Sequence, residues 1–403
     1  MSPRERLWTA AGLVLLAAPG LAVLASFYGQ ARDLPLLRAA IAGVMLLTAG
    51  TALAAAAVRP GPRGALGAVA ALVLLLAVAP AAGKCAGRLI RGPSAMILDS
   101  ALQVEVAAGF LAAGRNPYRE TYHGTDLERW HGGRDVPPLH HLVYPPVPVL
   151  ATLPLREASL ALTGVYDSRF LLIPAFVAAF AICVRAWGLA PWGPLLLATA
   201  FLNPLLLRDI HVGRGDTLVL LLWVLAFAAA ARGRLASMAV FLALAGLAKT
   251  TALPAALFAA AWASARPRWI GAWLLTATAV VGPFLLWDAA AFVDDTVLSL
   301  AGVGPHAFSV AARLPFGIAG LAPDFPWWTL QLPLAGATSL AGLRRVARTR
   351  SLADLGLAYA AAAAVFVFFS RLAEPAYYGA LASMAATAVG FSRAGVDPGP
   401  GRV

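Results

Sequence analysis

The chain has 403 residues, 60% of them hydrophobic and 12% charged, with a mean hydropathy of +0.77. Water cannot solvate such a surface, so a soluble globular domain is excluded and an all-α, polytopic transmembrane bundle is expected. The formal charge of +12 rests on arginines scattered in short loops between apolar runs, the pattern of positive-inside topology rather than of a nucleic-acid surface, so no nucleic-acid partner is expected.

In chain order, three spans are expected first, at Leu7 to Tyr28, Leu34 to Val58 and Ala65 to Gly83. Each holds about 20 mostly apolar residues, the length that satisfies its own backbone across hydrocarbon. Met1 to Leu7 carries Arg4 and Arg6 but leads into a full-length apolar run without a clear cleavage site, so an uncleaved first span is expected. With Arg4, Arg6, Arg59 and Arg63 cytoplasmic, the polar stretch that follows falls outside. The later basic loops at Arg232/Arg234, Arg266/Arg268 and Arg344/Arg345/Arg348/Arg350 then return to the cytoplasm. About twelve spans result, including two short segments around Lys249 that read as paired half-helices. Tyr144 to Leu162, interrupted by four prolines and by Arg156 and Glu157, reads as a dipping segment. Four regions follow: N-terminal spans (1–83), an extracytoplasmic loop with amphipathic surface helices (84–144), the main bundle (145–391) and a cytoplasmic tail (392–403). Cys85 and Cys183 fall near opposite faces, so neither a disulfide nor a metal-thiolate site is expected.

The polar island from Asp99 to Tyr144 is where chemistry at a lipid-water boundary is expected. Leu102, Val106, Phe110 and Leu111 recur at helical spacing, which predicts an amphipathic helix beginning at Asp99 and stopping at Gly114, with a turn at Asn116-Pro117. Asp99 has two readings at this stage, a helix cap or a functional carboxylate; Ser100 with Gln103 fits a capping box.

The ordered set Asp99, then Gly114-Arg115-Asn116-Pro117-Tyr118, then Tyr144-Pro145-Pro146 resembles the first extracytoplasmic loop of GT-C membrane glycosyltransferases. Within that superfamily it is most similar to bacterial polyprenyl-phosphate-mannose-dependent mannosyltransferases. Asn203-Pro204, Gly213-Arg214-Gly215-Asp216 and the Ala243-to-Lys249 run extend the resemblance from Asp99 to about Ser264. Two positions depart from it: Ala101 stands where many relatives carry a second Asp, and Arg214 where Gln is frequent.

The resemblance implies a GT-C fold and an inverting hexosyltransferase, with mannose the expected sugar. The implied partners are a polyprenyl-phosphate sugar donor, a glycolipid or cell-envelope glycan acceptor, and membrane lipids. The enzyme would be multi-pass in the cell membrane with its site facing out. Asp99 is the expected catalytic base. Glu105, six positions on, lies roughly 240° around the helix from it, so double displacement by two carboxylates is disfavoured. Lys249, Arg371 and Arg214 are candidate ligands of the donor phosphate, because intramembrane cations are costly unless they bind something. Glu105, Asn116, Tyr118, Tyr144, Asp216 and Tyr378 are candidate substrate contacts. No cofactor is expected: His123, His131, His140 and His141 match no zinc spacing, although Asp126, Glu128 and Asp135 leave room for a divalent ion. Two other classes stay open, a lipid-linked sugar transporter or flippase, and a catalytically inactive assembly partner of GT-C type. A transporter would show matching broken helices in repeated halves, and no such repeat is visible in the sequence.

Overall fold

A computed structural model of the protein describes residues 3–58, 60–264 and 266–396. Arg59 and the end of the tail, 397–403, lie outside the described residues. All regular structure among those described is helical. The N-terminal part comprises α1 (Pro3–Gln30), α2 (Pro35–Val58), α3 (Pro62–Val73) and α4 (Ala79–Arg91), the last two joined through a π-helical turn at Leu74–Val78. The island holds α5 (Asp99–Ala112) and α6 (Asp126–Trp130). The remainder runs through α7 (Pro146–Thr163), α8 (Arg169–Trp187), α9 (Gly193–Phe201), α10 (Pro204–Val212), α11 (Asp216–Ala230), α12 (Leu235–Ala248), α13 (Ala255–Trp262), α14 (Pro267–Val293), α15 (Ser299–Ala301), α16 (Trp328–Thr349), α17 (Leu352–Phe368) and α18 (Pro375–Phe391).

Among the described residues, five helical stretches are long and apolar enough to cross a membrane: Thr9–Gln30, Pro35–Val58, Pro62–Arg91, Arg169–Trp187 and Pro267–Ala301. The pair α9 and α10, bent by 49° at Leu202-Asn203, makes a sixth if taken as one broken span. Several runs that the sequence count of about twelve treats as separate crossings are shorter helices, such as the 14-residue α12 and the 15-residue α11. At 1.5 Å per residue these reach only about 21–23 Å, less than a hydrocarbon core of about 30 Å. Large apolar side chains point outward, with Leu286, Leu36 and Leu162 91%, 87% and 84% exposed. An apolar exterior on long apolar helices is consistent with a membrane protein.

The main core lies among α8, α9, α11, α12, α17 and α18, where Phe176, Phe201, Trp223, Phe227 and Tyr359 are fully buried. Small residues bring these helices close. A Cβ on Gly356 would stand 2.2 Å from Ala388 Cβ, and one on Gly379 would stand 2.6 Å from Leu205 Cβ.

The island is a packed body with its own apolar core rather than a loop draped over a surface. Tyr118, Tyr122, Leu127, Leu139 and Leu142 are buried together with Phe110 of α5 and Phe284 of α14. This corrects the amphipathic-surface-helix expectation: α5 is buried on most sides, and its polar residues Gln103 and Glu105 face protein partners. The Tyr144–Leu162 segment forms α7, whose first half is buried and whose second half ends in the exposed Leu162. Among the described residues, helical backbone is interrupted at Leu202-Asn203, at Lys249, where it is extended (φ −155°, ψ 123°), and at Asp288 within α14 (φ −163°, ψ 95°). The break around Lys249 is the one its sequence context predicts.

Candidate active-site cavity

Asp99 opens α5 as its first helical residue. Leu98 occupies the capping position and makes no side-chain cap; Asp99 Oδ1 instead accepts from the neighbouring Ser100 amide at 2.7 Å. The capping box expected of Ser100 and Gln103 does not form, because Gln103 Nε2 donates to the carbonyls of Pro138 (2.7 Å) and His141 (2.8 Å). Asp99 is thereby left with its second oxygen free of backbone, 3.6 Å from His131 Nε2.

A buried ionic network holds this helix start in place. Arg88 of α4 pairs with Glu105 (2.6 Å) and Asp167 (3.1 Å), and Arg169 pairs with Asp167 (2.6 Å). Ser168 adds its amide and its hydroxyl to Glu105 Oε1, each at 2.7 Å. Arg169 also donates to the carbonyls of Met96 (3.0 Å) and His211 (2.9 Å), and the Leu98 amide donates to Val212 O at 2.9 Å. The entry to α5 is therefore tied to the end of α10. Two cations and two carboxylates balance, so burial leaves no net charge uncompensated. The Arg88 and Arg169 guanidinium partners hold the Asp167 carboxyl down to about 2 despite its burial.

The end of α10 supplies the facing wall. Asn203 caps this helix by accepting from the Leu205 amide (3.0 Å), with Pro204 in the first turn where no amide is needed. Gly213 ends it at φ 80°, a left-handed conformation that an L side chain rarely adopts, and the Arg214 amide donates back to Asp209 O at 2.9 Å. The chain turns at once into α11, with Asp216 in its first turn at the positive end of the helix dipole. Lys249 reaches Asp216 Oδ1 at 2.5 Å, and Arg214 lies 3.4 Å from Oδ2 of the same carboxylate. Arg214 makes a second pair with Glu374 at 2.5 Å, and the Lys249 ammonium stands 4.4 Å from the centre of the Tyr377 ring.

These groups enclose a cavity of about 490 Å³. Asp99, Ser100 and Tyr144 line one side, Arg208, Asp209 and Arg214 another, and Lys249, Glu374 and Tyr377 a third. Trp130, Leu300 and Phe308 contribute to its walls. A smaller space of about 40 Å³ shares Ser100, Tyr144, Arg214 and Lys249 and runs toward Asp216 and Leu172. The larger volume falls in the usual range for small-molecule sites, about 300–1,000 Å³.

Burial pushes the Asp99 carboxyl above the usual carboxylate range, against the pull of the Ser100 amide and of His131. Burial likewise pushes the His131 imidazole down, with Asp99 opposing it. Burial raises the Tyr144 phenol, which keeps it a neutral hydrogen-bonding group.

Of the residues named from sequence, Asp99, Lys249, Arg214 and Tyr144 meet in this cavity, with Asp216 directly behind Lys249. The others lie elsewhere. Glu105 is held by Arg88 and Ser168 in the buried network, so its substrate role gives way to a structural one. Asn116 Oδ1 accepts from the Tyr118 amide (3.1 Å), fixing the turn. The Tyr118 hydroxyl donates to Tyr144 O (2.9 Å) while its ring packs on Phe284 and Phe292, so this pair supports Tyr144 instead of lining the cavity. Arg371 donates to Phe308 O at 3.1 Å and Tyr378 to Phe316 O at 2.6 Å, and neither lines the cavity.

Sequence reasoning missed Asp209, Glu374, Tyr377 and His131 as site residues. Asp209 is 3% exposed, and its Oδ2 makes no hydrogen bond. Its signal was present as an Arg208-Asp209 pair inside an apolar run, since ionisable residues at membrane depth mark functional sites. His131 had none, because its proximity to Asp99 depends on the fold of the whole island.

No family model matches this chain, and no curated protein or solved structure is similar to it.

Proposed function

We propose that the protein is a membrane glycosyltransferase of GT-C type, transferring a hexose, with mannose the first candidate, from a polyprenyl phosphate to a glycolipid or cell-envelope acceptor. The observation that carries the reading is one cavity lined by a partly exposed carboxylate, Asp99, together with two largely buried cations, Arg214 and Lys249. That is the division of labour the reaction needs. Asp99 takes the proton from the acceptor hydroxyl, the freed oxygen bonds to the anomeric carbon, and the bond from that carbon to the phosphate oxygen breaks with its electron pair leaving on the phosphate. Arg214 and Lys249 stabilise the charge that develops on the leaving phosphate. Glu105, the nearest alternative nucleophile on α5, is committed to Arg88, so single displacement with inversion is favoured.

The test is a transfer assay in membranes with a panel of polyprenyl-phosphate sugars. Asp99→Asn should lower transfer by about 10²–10⁴-fold, the usual weight of a general base, while donor binding stays within a few-fold of wild type. Transfer that survives the substitution would remove Asp99 from the chemistry.

A lipid-linked sugar transporter is the second reading, and one feature favours it: two helical interruptions, at Leu202-Asn203 and at Lys249, adjoin the same cavity, which Leu205 and Lys249 line. Movement of a labelled polyprenyl-phosphate sugar across proteoliposomes, with no product formed when acceptor is supplied, would select it over the enzyme.

A further inference from the structure

At the edge of the island, three stretches bring imidazoles to a single carboxylate, Asp135. His123 precedes α6, Asp135 follows it, His140 ends the turn Pro137–Leu139, and His306 comes from the loop after α15. His140 Nε2 lies 2.5 Å and His123 Nε2 3.5 Å from Asp135 Oδ1, and His306 Nδ1 lies 3.7 Å from Oδ2. The His140 and His306 rings stack, with centroids 3.7 Å apart.

From this geometry we infer that His123, Asp135 and His140 form a binding site for a zinc-type divalent cation, with His306 or water as the fourth ligand. One ligand atom from each of the three lies within 4.8 Å of the others. Tetrahedral zinc, with bonds of about 2.0–2.2 Å to nitrogen and oxygen, places its ligand atoms about 3.3–3.5 Å apart, within reach of side-chain rotation. A carboxylate already orients one ligand: Glu128 Oε1 lies 3.0 Å from His123 Nδ1, which fixes the proton there and turns the Nε2 lone pair toward the cluster. His123 and Asp135 have side chains 37% and 59% exposed, which gives the ion a path in. The spacing of these residues shows no zinc pattern because the ligands come from separate turns.

With His306 as the fourth ligand, the ion would clasp the island to the loop that follows α15. Leu300 of α15 and Phe308 of that loop both line the cavity. The site is a positioning device on the rim, and its test does not depend on the sugar reaction.

Tag-free full-length protein in detergent is stripped with chelator, dialysed against Zn²⁺ alone, and its metal content measured. One zinc per chain is expected. Co²⁺ in place of Zn²⁺ should give the intense visible absorption of a four-coordinate nitrogen-oxygen site. His140→Ala or Asp135→Asn should weaken Zn²⁺ binding at least 100-fold, and Glu128→Gln by about 10–100-fold, while the melting temperature of the metal-free variants matches that of the metal-free wild type. Absence of stoichiometric zinc in the wild-type chain, a six-coordinate cobalt spectrum, or undiminished binding in the variants would each overturn the inference.

Discussion

Asp99 is costly where it stands. Folding raises its pKa, so the folded state holds the proton more tightly than the unfolded chain does; the stabilising contribution is present at low pH and is lost as pH rises through the raised value. The proposed reaction asks for the opposite protonation state, because only the carboxylate can act as base. Transfer should therefore rise with pH along a limb of unit slope whose midpoint lies above the ordinary carboxylate range, and an acid limb centred near pH 4 would contradict the burial of this group. The same reasoning sets the stability of Asp99→Asn: at neutral pH the amide should melt at or above the wild-type temperature even as transfer is lost. Glu374 offers a second test. It holds Arg214 at 2.5 Å with a side chain 46% exposed, so it competes with any phosphate for that guanidinium. Glu374→Gln should tighten binding of a polyprenyl phosphate several-fold in a direct binding assay, whereas weaker binding would make Glu374 a ligand instead of a competitor.

Helix α10 carries Arg208 and Asp209 to the cavity, and its position is set by close contact with α18. A Cβ on Gly379 would meet Leu205 Cβ at 2.6 Å and the Leu206 amide nitrogen at 3.0 Å, atoms that move only if α10 moves. The Gly379 carbonyl also accepts from Asn203, the residue that caps α10 (3.2 Å). Gly379→Ala should cost about 1–3 kcal/mol as overpacking and reduce transfer, measured by melting in detergent and by rate. Gly67→Ala, where a Cβ meets nothing within 4 Å, is the control that should do neither. Equal melting of the two variants would show that α10 and α18 are not in tight contact. Features of this kind divide into what a sequence displays and what it hides. The stop after α5 at Gly114, the turn at Asn116-Pro117 and the break at Lys249 were legible because a glycine, a proline or a lone cation in an apolar run acts locally. The fate of Glu105 was not, since its partners Arg88 and Ser168 come from distant turns and only the assembled fold brings them together. A helical wheel that sees Gln103 and Glu105 as a polar face cannot tell solvent from a buried ion pair, and this is why α5 was expected on a surface.

Across the whole molecule, the cavity and the basic loops sit at opposite ends. Arg350, just past α16, donates to the carbonyl of Trp262 at 2.7 Å, so the basic end of α16 lies beside the end of α13 and the start of α14, next to Arg266 and Arg268. The part of α14 from Pro267 to Trp287, before the non-helical backbone at Asp288, then rises about 31 Å. Just beyond α14, Asp295 accepts from the Leu142 amide of the island at 2.8 Å and lies 2.9 Å from His141. A rise of that size matches the hydrocarbon core of a bilayer, about 30 Å, and the arginine-rich end is the one the positive-inside rule assigns to the cytoplasm. The native thiols give a clean background for testing the assignment, because Cys85 and Cys183 are 7% and 0% exposed. Arg129→Cys in the island and Arg344→Cys on α16 replace exposed residues at the two ends. A membrane-impermeant maleimide should label position 129 in intact cells and position 344 only after permeabilisation. Labelling of both from outside would mean that α14 does not separate two aqueous faces, and the reverse pattern would place the Asp99 cavity on the cytoplasmic side, where a glycan acceptor of the cell envelope could not reach it.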